Sequence, residues 1–302
     1  MKKFILLSGS ANRPLALKVA KELSIKLGRV EIESFPNNEI RIRIQENVKD
    51  KTVFIIQPTI FPAERYILEL ALLADGAKRS GAKKIVAIIP WFGYSPQDKV
   101  FREGEPLSGE VVIRMLEATA IDEFAVADIH SDLVLKMFKK KVHSLSAMSV
   151  FIDYFRKELD KSWVSVALDK GALERAEKFS KALKLPLVKF DKTRDRKTGE
   201  VTFHKLEGSV EGKNVISFDD FVSTGGTRIK GCDFLKKEGV KKYYDCVTHL
   251  IVPETTRKLE KSNIDKIFIT DSIHLESKWK FGRLKVLSID RLIANFVKKN
   301  IL

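Results

Sequence analysis

The sequence predicts an α/β protein with mainly parallel sheets flanked by helices. Short apolar runs of strand length alternate along the chain with longer segments whose apolar residues recur at helical spacing. Most of these runs end in a polar or glycine-containing loop that leads directly into the next helical segment. This rhythm is typical of parallel strands joined by right-handed helical crossovers.

Each predicted element follows from its own pattern of apolar residues. The first helix also carries a start signal, because Asn12 or Ser10 can cap it and Pro14 suits its first turn. In chain order, strands are predicted at 4–7, 30–33, 40–44, 52–57, 84–90, 123–127, 163–167, 187–190, 215–218, 243–252 and 266–270, and helices at 15–27, 63–80, 109–118, 148–159, 173–183, from 228 onward, 253–261 and 289–298.

The length predicts two domains. A chain of 302 residues exceeds one average domain, and 44% hydrophobic with 31% charged residues is an ordinary globular composition. The two halves have a similar strand-helix rhythm, so we expect an N-terminal domain at 1–143 and a C-terminal domain at 144–302.

Composition also bounds the cellular context. The sequence contains neither an eighteen-residue apolar run nor a signal-type start, so we expect no membrane span, no secretion and a cytoplasmic location. Cys232 and Cys246 are too few for a disulfide framework and lack metal-ligand spacing, which predicts two reduced, buried thiols.

The net charge of +15 admits nucleic acid, acidic lipid or highly phosphorylated small molecules as partners. The lysines, however, are spread over predicted helix faces and mixed with glutamates, as on a solvated surface. No stripe of basic residues is interleaved with aromatic residues. We therefore expect no nucleic-acid partner.

One stretch, 215–228, combines a buried strand with a polar loop and a following helix. Such a loop lies at the carboxyl end of a strand, where open α/β sheets bind ligands. Its hydroxyl groups and backbone N–H groups at 223–227 suit a phosphate. The carboxylates of Asp219 and Asp220 suit ligand hydroxyl groups, a bridging metal, or both. An ordinary strand-turn-helix with an aspartate cap is the alternative.

Seven separated segments resemble the ribose-phosphate pyrophosphokinase (phosphoribosyl pyrophosphate synthetase) family, and the resemblance spans nearly the whole chain. A phosphoribosyl-binding loop alone indicates only a phosphoribosyltransferase, whereas the other segments, in this order, are specific to the synthetase. The segments are Gly-Ser-Ala-Asn-Arg-Pro-Leu-Ala at 9–16, Phe-Pro-Asn-Asn-Glu-Ile at 35–40, Phe-Gly-Tyr-Ser-Pro-Gln-Asp at 92–98, Gly-Glu-Pro-Leu-Ser at 104–108, Asp-Ile-His at 128–130, Asp-Lys-Gly-Ala-Leu-Glu-Arg-Ala at 169–176 and Asp-Asp-Phe-Val-Ser-Thr-Gly-Gly-Thr at 219–227.

The resemblance implies two similar domains of the type I phosphoribosyltransferase fold and at least a dimeric homo-oligomer. It further implies transfer of the β,γ-diphosphoryl group of ATP to the C1 hydroxyl of ribose 5-phosphate, with Mg²⁺. The products are phosphoribosyl pyrophosphate and AMP. The residues that match the family's ribose 5-phosphate loop are Asp219, Asp220, Ser223, Thr224, Gly225, Gly226 and Thr227.

The resemblance also assigns the other roles. His130 and Asp169, each at a strand end, match metal-associated positions. Lys192 and Arg194 match a catalytic pair on a mobile loop at 191–200, although a solvent-exposed charged hairpin is the alternative. The residues that match the ATP site are Phe35, Asn37 and Glu39 of an adenine loop supplied by a neighbouring subunit, for which a plain turn is the alternative, and Gln97, Asp98, Lys99 and Arg102.

Two positions depart from the family pattern. Pro96 stands where the family usually has an arginine, and Asn37-Asn38 stands where it commonly has Asp-Gly. Proline carries neither charge nor N–H, so a phosphate contact is in question, with Arg102 nearby as a substitute. These departures leave open a catalytically weak regulatory or scaffold subunit, and the loop at 219–227 alone leaves open a nucleobase phosphoribosyltransferase.

Overall fold

A computed structural model describes residues 3–168, 171–194 and 201–301, with the side chains of 191–194 and 201–205 outside that description. The chain forms two compact units. The first comprises the segment up to Ser146, the short segment Ser272–His274, and the segment from Ser288 onward. The second comprises Ala147–Asp271 and Leu275–Leu287.

The first unit is built on a parallel sheet. Its strands follow the spatial order β1-β4-β5-β6-β7, and a separate antiparallel hairpin pairs β2 with β3. In chain order the elements are β1 (Phe4–Ser8), α1 (Arg13–Glu22), β2 (Val30–Ser34), β3 (Ile40–Ile44), β4 (Thr52–Ile56), α2 (Ala63–Arg79), β5 (Lys84–Ile89), α3 (Ser108–Glu117), β6 (Glu123–Ala127), α4 (Asp132–Met137) and β7 (Lys141–Leu145).

The second unit is built on a larger sheet in the order β10-β9-β8-β11-β12-β13-β14. Strand β10 pairs antiparallel with β9, and the other neighbours pair in parallel. Its elements are α5 (Met148–Phe155), β8 (Trp163–Ala167), α6 (Leu173–Leu183), β9 (Leu187–Arg194), β10 (Val201–Glu207), β11 (Asn214–Val222), α7 (Gly226–Lys237), β12 (Lys242–Leu250), α8 (Thr255–Glu260), β13 (Lys266–Thr270), a 3₁₀ turn (Ser277–Trp279) and β14 (Leu284–Leu287).

The last helix, α9 (Asp290–Lys299), belongs to the first unit, where it packs on α1. Phe54 on β4 is fully buried, and its ring centroid lies 6.1 Å from that of Phe4 and 6.4 Å from that of Phe296 on α9. The ring of His143 on β7 also lies 4.9 Å from Phe296. The chain therefore returns to complete the core of its first unit.

Helix α2 illustrates how periodicity places a helix on the sheet. Its 17 residues bury one face through Ile67, Leu70, Leu73 and Ala74, at spacings of three and four. Its other face carries charged residues. Among the helices of the described residues, none is both long enough and apolar enough to cross a membrane.

The predicted start of α1 is confirmed. The side-chain oxygen of Asn12 accepts a hydrogen bond from the backbone N–H of Leu15 at 3.2 Å, and Pro14 lies in the first turn. This arrangement satisfies one of the backbone donors that a helix start leaves without an intrahelical partner.

Most predicted elements are confirmed, with four missed and two that are longer than expected. The missed elements are α4, β7 and β14, which have six residues or fewer, and β10, whose apolar residues are interrupted by Thr202, His204 and Lys205. Strand β9 continues to Arg194, so the prediction of a loop from 191 is wrong for 191–194, because these residues pair with β10 (Lys192 with Phe203, Arg194 with Val201). Residues 195–200 of that loop lie outside the described residues.

Strand β11 extends through Asp219 and Asp220 to Val222, because Asp219 and Phe221 pair with β12.

Both cysteines are free and buried, which confirms the prediction from their number and spacing. Burial raises the pKa of the Cys232 thiol to about 12, and it raises the pKa of the fully buried Cys246 well above the ordinary value. Since the thiolate is the reactive form, neither thiol is poised for chemistry near neutral pH.

We expect Cys232 and Cys246 to resist alkylation in the folded protein at pH 8, because burial limits access and disfavours the thiolate. Mass spectrometry after iodoacetamide treatment, with and without denaturant, measures this. Two alkylated sites are expected only in denaturant. Rapid labelling of either cysteine in the native protein would contradict the assigned burial.

We expect Phe54→Ala to lower the free energy of unfolding by about 3–5 kcal/mol, because it leaves a cavity between β4 and α9. The matched control is Phe61→Ala in the same unit, whose side chain is 86% exposed and which is expected to change stability by less than about 0.5 kcal/mol. Urea unfolding monitored by circular dichroism measures both. Equal losses in the two variants would contradict the assigned core.

Candidate active site

The loop after β11 is shaped by one left-handed glycine and by a contact from α8. Gly225 has φ of 77° and is buried, and a Cβ placed there lies 3.0 Å from Thr255 Cγ2. The hydroxyl of Thr255 donates to the backbone carbonyl of Ser223. Residues Thr224 and Gly226 are exposed on the other side of this turn. The loop is therefore held from α8 while its hydroxyl-bearing side faces solvent.

Helix α7 begins inside this loop. Gly225 is its N-cap, and the described residues provide no side-chain hydrogen bond to cap it. Backbone N–H groups of the first helical turn have no partner within a helix and carry a partial positive charge. The start of α7 is therefore suited to an anionic ligand group such as phosphate.

The two adjacent carboxylates at the end of β11 are buried and ion-paired. Asp219 is 8% exposed and Asp220 is 3% exposed. Arg175 on α6 contacts both, with its Nε 3.2 Å from Asp219 Oδ1 and its Nη2 3.0 Å from Asp220 Oδ2. The backbone N–H of Asp220 also donates to Asp219 Oδ1, at 3.0 Å. The carboxylates are thus oriented by the protein itself.

A second guanidinium reaches Asp219 from α7. Arg228 Nη2 lies 2.7 Å from Asp219 Oδ2, and Arg228 Nη1 lies 3.2 Å from Asp245 Oδ1 on β12. Asp245 Oδ1 also accepts hydrogen bonds from Ser217 Oγ at 2.6 Å and from the Tyr243 hydroxyl at 3.1 Å. A buried network therefore runs from the loop into the interior of the sheet.

Burial and charge act in opposite directions on this network. Burial raises the pKa of the Asp219 carboxyl, while the Arg228 guanidinium opposes the rise by stabilising the carboxylate. The neighbouring Asp220 carboxylate adds to the rise, and Arg175 opposes it. Burial also raises the pKa of Tyr243 far above its ordinary value, so its hydroxyl stays protonated and can donate.

Sequence reasoning missed the roles of Arg175, Arg228 and Asp245. Arg175 lies within the segment 169–176 that carries the family resemblance, and the sequence predicts Arg228 only as the start of a helix. The available signal is Asp245, an acidic residue in the middle of the predicted strand β12, next to Tyr244 and Cys246. Charged residues of this kind are rarely buried unless they are paired.

The predicted ATP residues of the loop after β5 are held by local hydrogen bonds. Gln97 donates to the Pro106 carbonyl at 3.0 Å and accepts from Ser108 Oγ at 2.5 Å. Asp98 accepts from Ser131 Oγ at 2.8 Å, which brings it close to the segment after β6. Gln97 and Asp98 are therefore fixed to neighbouring loops of the same unit.

Two other predicted ATP residues lie at an exposed turn of the same loop. The Lys99 ammonium lies 5.4 Å from the centre of the Phe101 ring, and Phe101 is 62% exposed. The backbone N–H groups of Phe101 and Arg102 both donate to the Glu105 carboxylate at 3.1 Å. Lys99 and the exposed Arg102 are thus accessible to an anionic ligand.

The predicted adenine residues lie at the tip of the β2-β3 hairpin. The Phe35 N–H donates to the Glu39 carbonyl at 2.9 Å, and the Glu39 N–H donates to Asn37 Oδ1 at 3.2 Å. Asn38 has φ of 67°, a conformation that asparagine tolerates better than most residues. Phe35 is 46% exposed at this tip. The segment is a well-formed turn that presents an aromatic ring to solvent.

The predicted metal and catalytic residues are only partly described. His130 is half-buried in the segment after β6, and Asp169 lies outside the described residues. Within residues 3–168, 171–194 and 201–301, no cluster of three His, Cys, Asp or Glu side chains is placed to hold a metal. Lys192 and Arg194 lie in β9, and their side chains are outside the description.

Parallel sheets, with a strand that ends in two aspartates and leads into a hydroxyl-glycine loop, are typical of the phosphoribosyltransferase class of proteins. A family model of the phosphoribosyl transferase domain matches residues 137–288. A second, described as the N-terminal domain of ribose phosphate pyrophosphokinase, matches residues 4–119. With relatives at about this length and more than 30% identity, the chain belongs to the ribose-phosphate pyrophosphokinase family.

The relatives cover the chain almost completely. The chain is 33% identical to ribose-phosphate pyrophosphokinase of Fusobacterium nucleatum over 97% of its length and 93% of the relative's. It is 34% identical to the enzyme of the same name from Helicobacter hepaticus, over 99% and 96%. Phosphoribosylpyrophosphate synthetase from Mycobacterium smegmatis superposes with a TM-score of 0.91 at 30% identity, covering 98% of both chains. These comparisons confirm the resemblance, the fold class and the enzyme class predicted from the sequence.

We expect Gly225→Ala to lower the free energy of unfolding by about 1–2 kcal/mol, because an L-residue is strained in the left-handed region. The new methyl group would also crowd Thr255. The control is Gly226→Ala at the first position of α7, where an added Cβ has Thr224 Oγ1 at 3.9 Å as its nearest neighbour. Thermal unfolding measures both variants. Equal stability of the two would contradict the assigned turn.

Proposed function

We propose that this chain synthesises phosphoribosyl pyrophosphate by transferring the β,γ-diphosphoryl group of ATP to the C1 hydroxyl of ribose 5-phosphate, with release of AMP. The observation that carries the proposal is the loop at the end of β11. It combines two oriented carboxylates with hydroxyl and N–H donors at a helix start, in a chain of the pyrophosphokinase family.

The loop supplies both kinds of contact that ribose 5-phosphate requires. Asp219 and Asp220 are acceptors for the ribose hydroxyl groups, and Arg175 fixes both carboxylates. The hydroxyls of Ser223, Thr224 and Thr227 and the N–H groups at Gly225 and Gly226 are donors for the 5-phosphate. This division keeps the sugar at the strand end and the phosphate at the start of α7.

The ATP side is proposed in the first unit. Gln97, Asp98, Lys99 and Arg102 lie on one loop, where the two cations are exposed and suit a polyphosphate. Phe35 at the hairpin tip presents a ring for stacking on adenine, with Asn37 and Glu39 beside it as polar partners. We propose that this tip serves a neighbouring copy, so that the enzyme works as a homo-oligomer of at least two chains.

Lys192 and Arg194 are proposed as the catalytic cations. In the reaction the ribose C1 oxygen forms a bond to the β-phosphorus, the bond from that phosphorus to the oxygen of the α-phosphate breaks, and the hydroxyl proton is released. Negative charge grows on the leaving and nonbridging oxygens, and positioned cations stabilise it. Lys192 and Arg194 are two residues apart in the sequence of β9.

Magnesium is proposed as the metal. His130 and Asp169 are the proposed donors, one imidazole and one carboxylate, and such donor types suit Mg²⁺ because this ion usually retains waters and substrate phosphate oxygens as ligands. When bound, the ion would neutralise phosphate charge and polarise the phosphoryl group. The task of His130 and Asp169 is to orient that ion, directly or through its waters.

The proposal extends to the setting of the enzyme. We propose a cytoplasmic enzyme whose partners are ATP, ribose 5-phosphate and copies of itself, with no nucleic-acid or membrane partner. A catalytically weak regulatory subunit is the competing proposal, supported by Pro96 and by Asn37-Asn38 at the ATP side. A nucleobase phosphoribosyltransferase is the disfavoured alternative, because that activity does not explain why residues 4–119 match the N-terminal domain of ribose phosphate pyrophosphokinase.

We expect the purified chain to convert ATP and ribose 5-phosphate, with Mg²⁺, into AMP and phosphoribosyl pyrophosphate in equal amounts. Chromatography of the nucleotides and ³¹P NMR of the sugar product measure this, and parallel reactions with other nucleoside triphosphates test the altered adenine turn. ADP as the product would contradict diphosphoryl transfer. No turnover by the homomer, restored by an active relative, would favour the regulatory subunit.

We expect Lys192→Ala to lower kcat by about 10²–10³-fold, because it removes a cation that acts on charge developed in the transition state. Binding of ribose 5-phosphate should change little. The matched control is Lys189→Ala on the same strand, since Lys189 pairs at 3.3 Å with the exposed Glu177 and is expected to be dispensable. Steady-state kinetics and calorimetry measure both. Parallel loss of turnover and ribose 5-phosphate affinity would contradict a transition-state role.

A further inference from the structure

Arg228 is a buried link between the ribose loop and the interior of the second unit. Its side chain is about as buried as those of the core, with 4% of the residue exposed. One guanidinium nitrogen contacts Asp219 on β11 and the other contacts Asp245 on β12, at 2.7 and 3.2 Å. Since Asp245 lies opposite Ser217 in the register of these neighbouring strands, one guanidinium spans both carboxylates.

The far end of this link is itself anchored. Asp245 is 1% exposed and accepts hydrogen bonds from Ser217 and Tyr243, which are also buried. The Ser217 and Tyr243 oxygens are 2.7 Å apart, so the three side chains form a closed cluster. A buried carboxylate is stable only where such partners and a cation compensate its lost hydration. Arg228 is therefore held by Asp245 in the interior of the unit as well as by Asp219 beside the loop.

We propose that Arg228, anchored by Asp245, is a positioning residue that fixes the Asp219 carboxylate for the ribose hydroxyls of the substrate. The inference rests on the proposed function of the loop. Arg228 holds Oδ2 of Asp219, whereas Arg175 and the Asp220 N–H hold Oδ1. Contacts at both oxygens define the plane of the carboxylate, and a carboxylate has further lone pairs for ligand hydroxyl groups.

The electrostatics of the site require this second cation. Asp219 and Asp220 are adjacent, buried and of like charge, and Arg175 is shared between them. Removal of a guanidinium from such a cluster leaves uncompensated negative charge in a medium that solvates it poorly. Asp219 would then turn away from its working position or become protonated, and either change weakens it as an acceptor for the ribose hydroxyl groups.

A second ion pair on α7 serves as a control. It distinguishes positioning of the Asp219 carboxylate from simple attachment of α7 to the sheet. Lys236, on the same helix, pairs with Asp265 at 2.7 Å, and Asp265 also accepts the Tyr243 N–H. This pair ties α7 to the sheet, and its members contact neither Asp219 nor Asp220 in the part of the chain that the structure describes. Lys236→Met is therefore the control for a purely structural contribution of α7.

The experiment compares Arg228→Gln, Arg228→Lys, Asp245→Asn and Lys236→Met with the unmodified full chain. Steady-state kinetics yield kcat and the KM of each substrate, and calorimetry yields the Kd of ribose 5-phosphate without ATP. We expect Arg228→Gln and Asp245→Asn to raise the KM and Kd for ribose 5-phosphate roughly tenfold or more. The KM for ATP should stay within about twofold, Arg228→Lys should recover part of the loss, and Lys236→Met should change every value by less than about twofold.

If Arg228→Gln fails to fold, Asp245→Asn still tests the inference. It preserves the side-chain volume and keeps an acceptor for Ser217 and Tyr243. The inference is overturned if Asp245→Asn and Lys236→Met have the same effect on ribose 5-phosphate. It is also overturned if the KM values of both substrates rise together in step with lost thermal stability. Failure of the proposed function looks different, since the unmodified chain would then form no phosphoribosyl pyrophosphate while the Kd comparison among the variants still decides the role of Arg228.

Discussion

The arrangement of the second unit depends on the pairing of buried carboxylates with buried guanidinium groups at the end of β11. Asp219 and Asp220 are removed from water, and each is compensated by an arginine from a flanking helix, Arg175 from α6 or Arg228 from α7. Charge burial of this kind is stable only when the geometry is well matched. These ion pairs therefore link the positions of α6, β11, α7 and β12. The same four elements fix the position of the loop that follows β11.

Much of the fold followed from the sequence because parallel strands bury both faces and so appear as continuous apolar runs. The strands Glu123–Ala127, Trp163–Ala167 and Lys266–Thr270 coincide with their predicted bounds for this reason. Strand β10 is hard to predict because an edge strand, with one neighbour, tolerates polar residues that hide the pattern, and β14 because it has only four residues. The charged residues at 191–194 hide the end of β9, which pairs with β10 beyond the part, 187–189, that also pairs with β8.

The site was predictable to the extent that its chemistry lies in contiguous residues. The loop 219–227 was recognised because acids, hydroxyls and glycines follow one another directly, and Gly225 has the left-handed φ that such a turn requires. Arg228 and Asp245 are separated by a helix and a turn, and their pairing depends on the register of β11 and β12. No local pattern encodes that register, so the supporting network became visible only in three dimensions.

The return of α9 to the first unit has a consequence for how the chain matures. Phe296 is synthesised after the whole of the second unit, yet its ring contacts that of Phe54 on a strand made early. A chain emerging from the ribosome can therefore complete its second unit before the core of its first unit is closed. Until α9 is synthesised, the apolar surface of β4 that Phe296 covers stays exposed in the nascent chain, and exposed apolar surface of this kind is prone to aggregation.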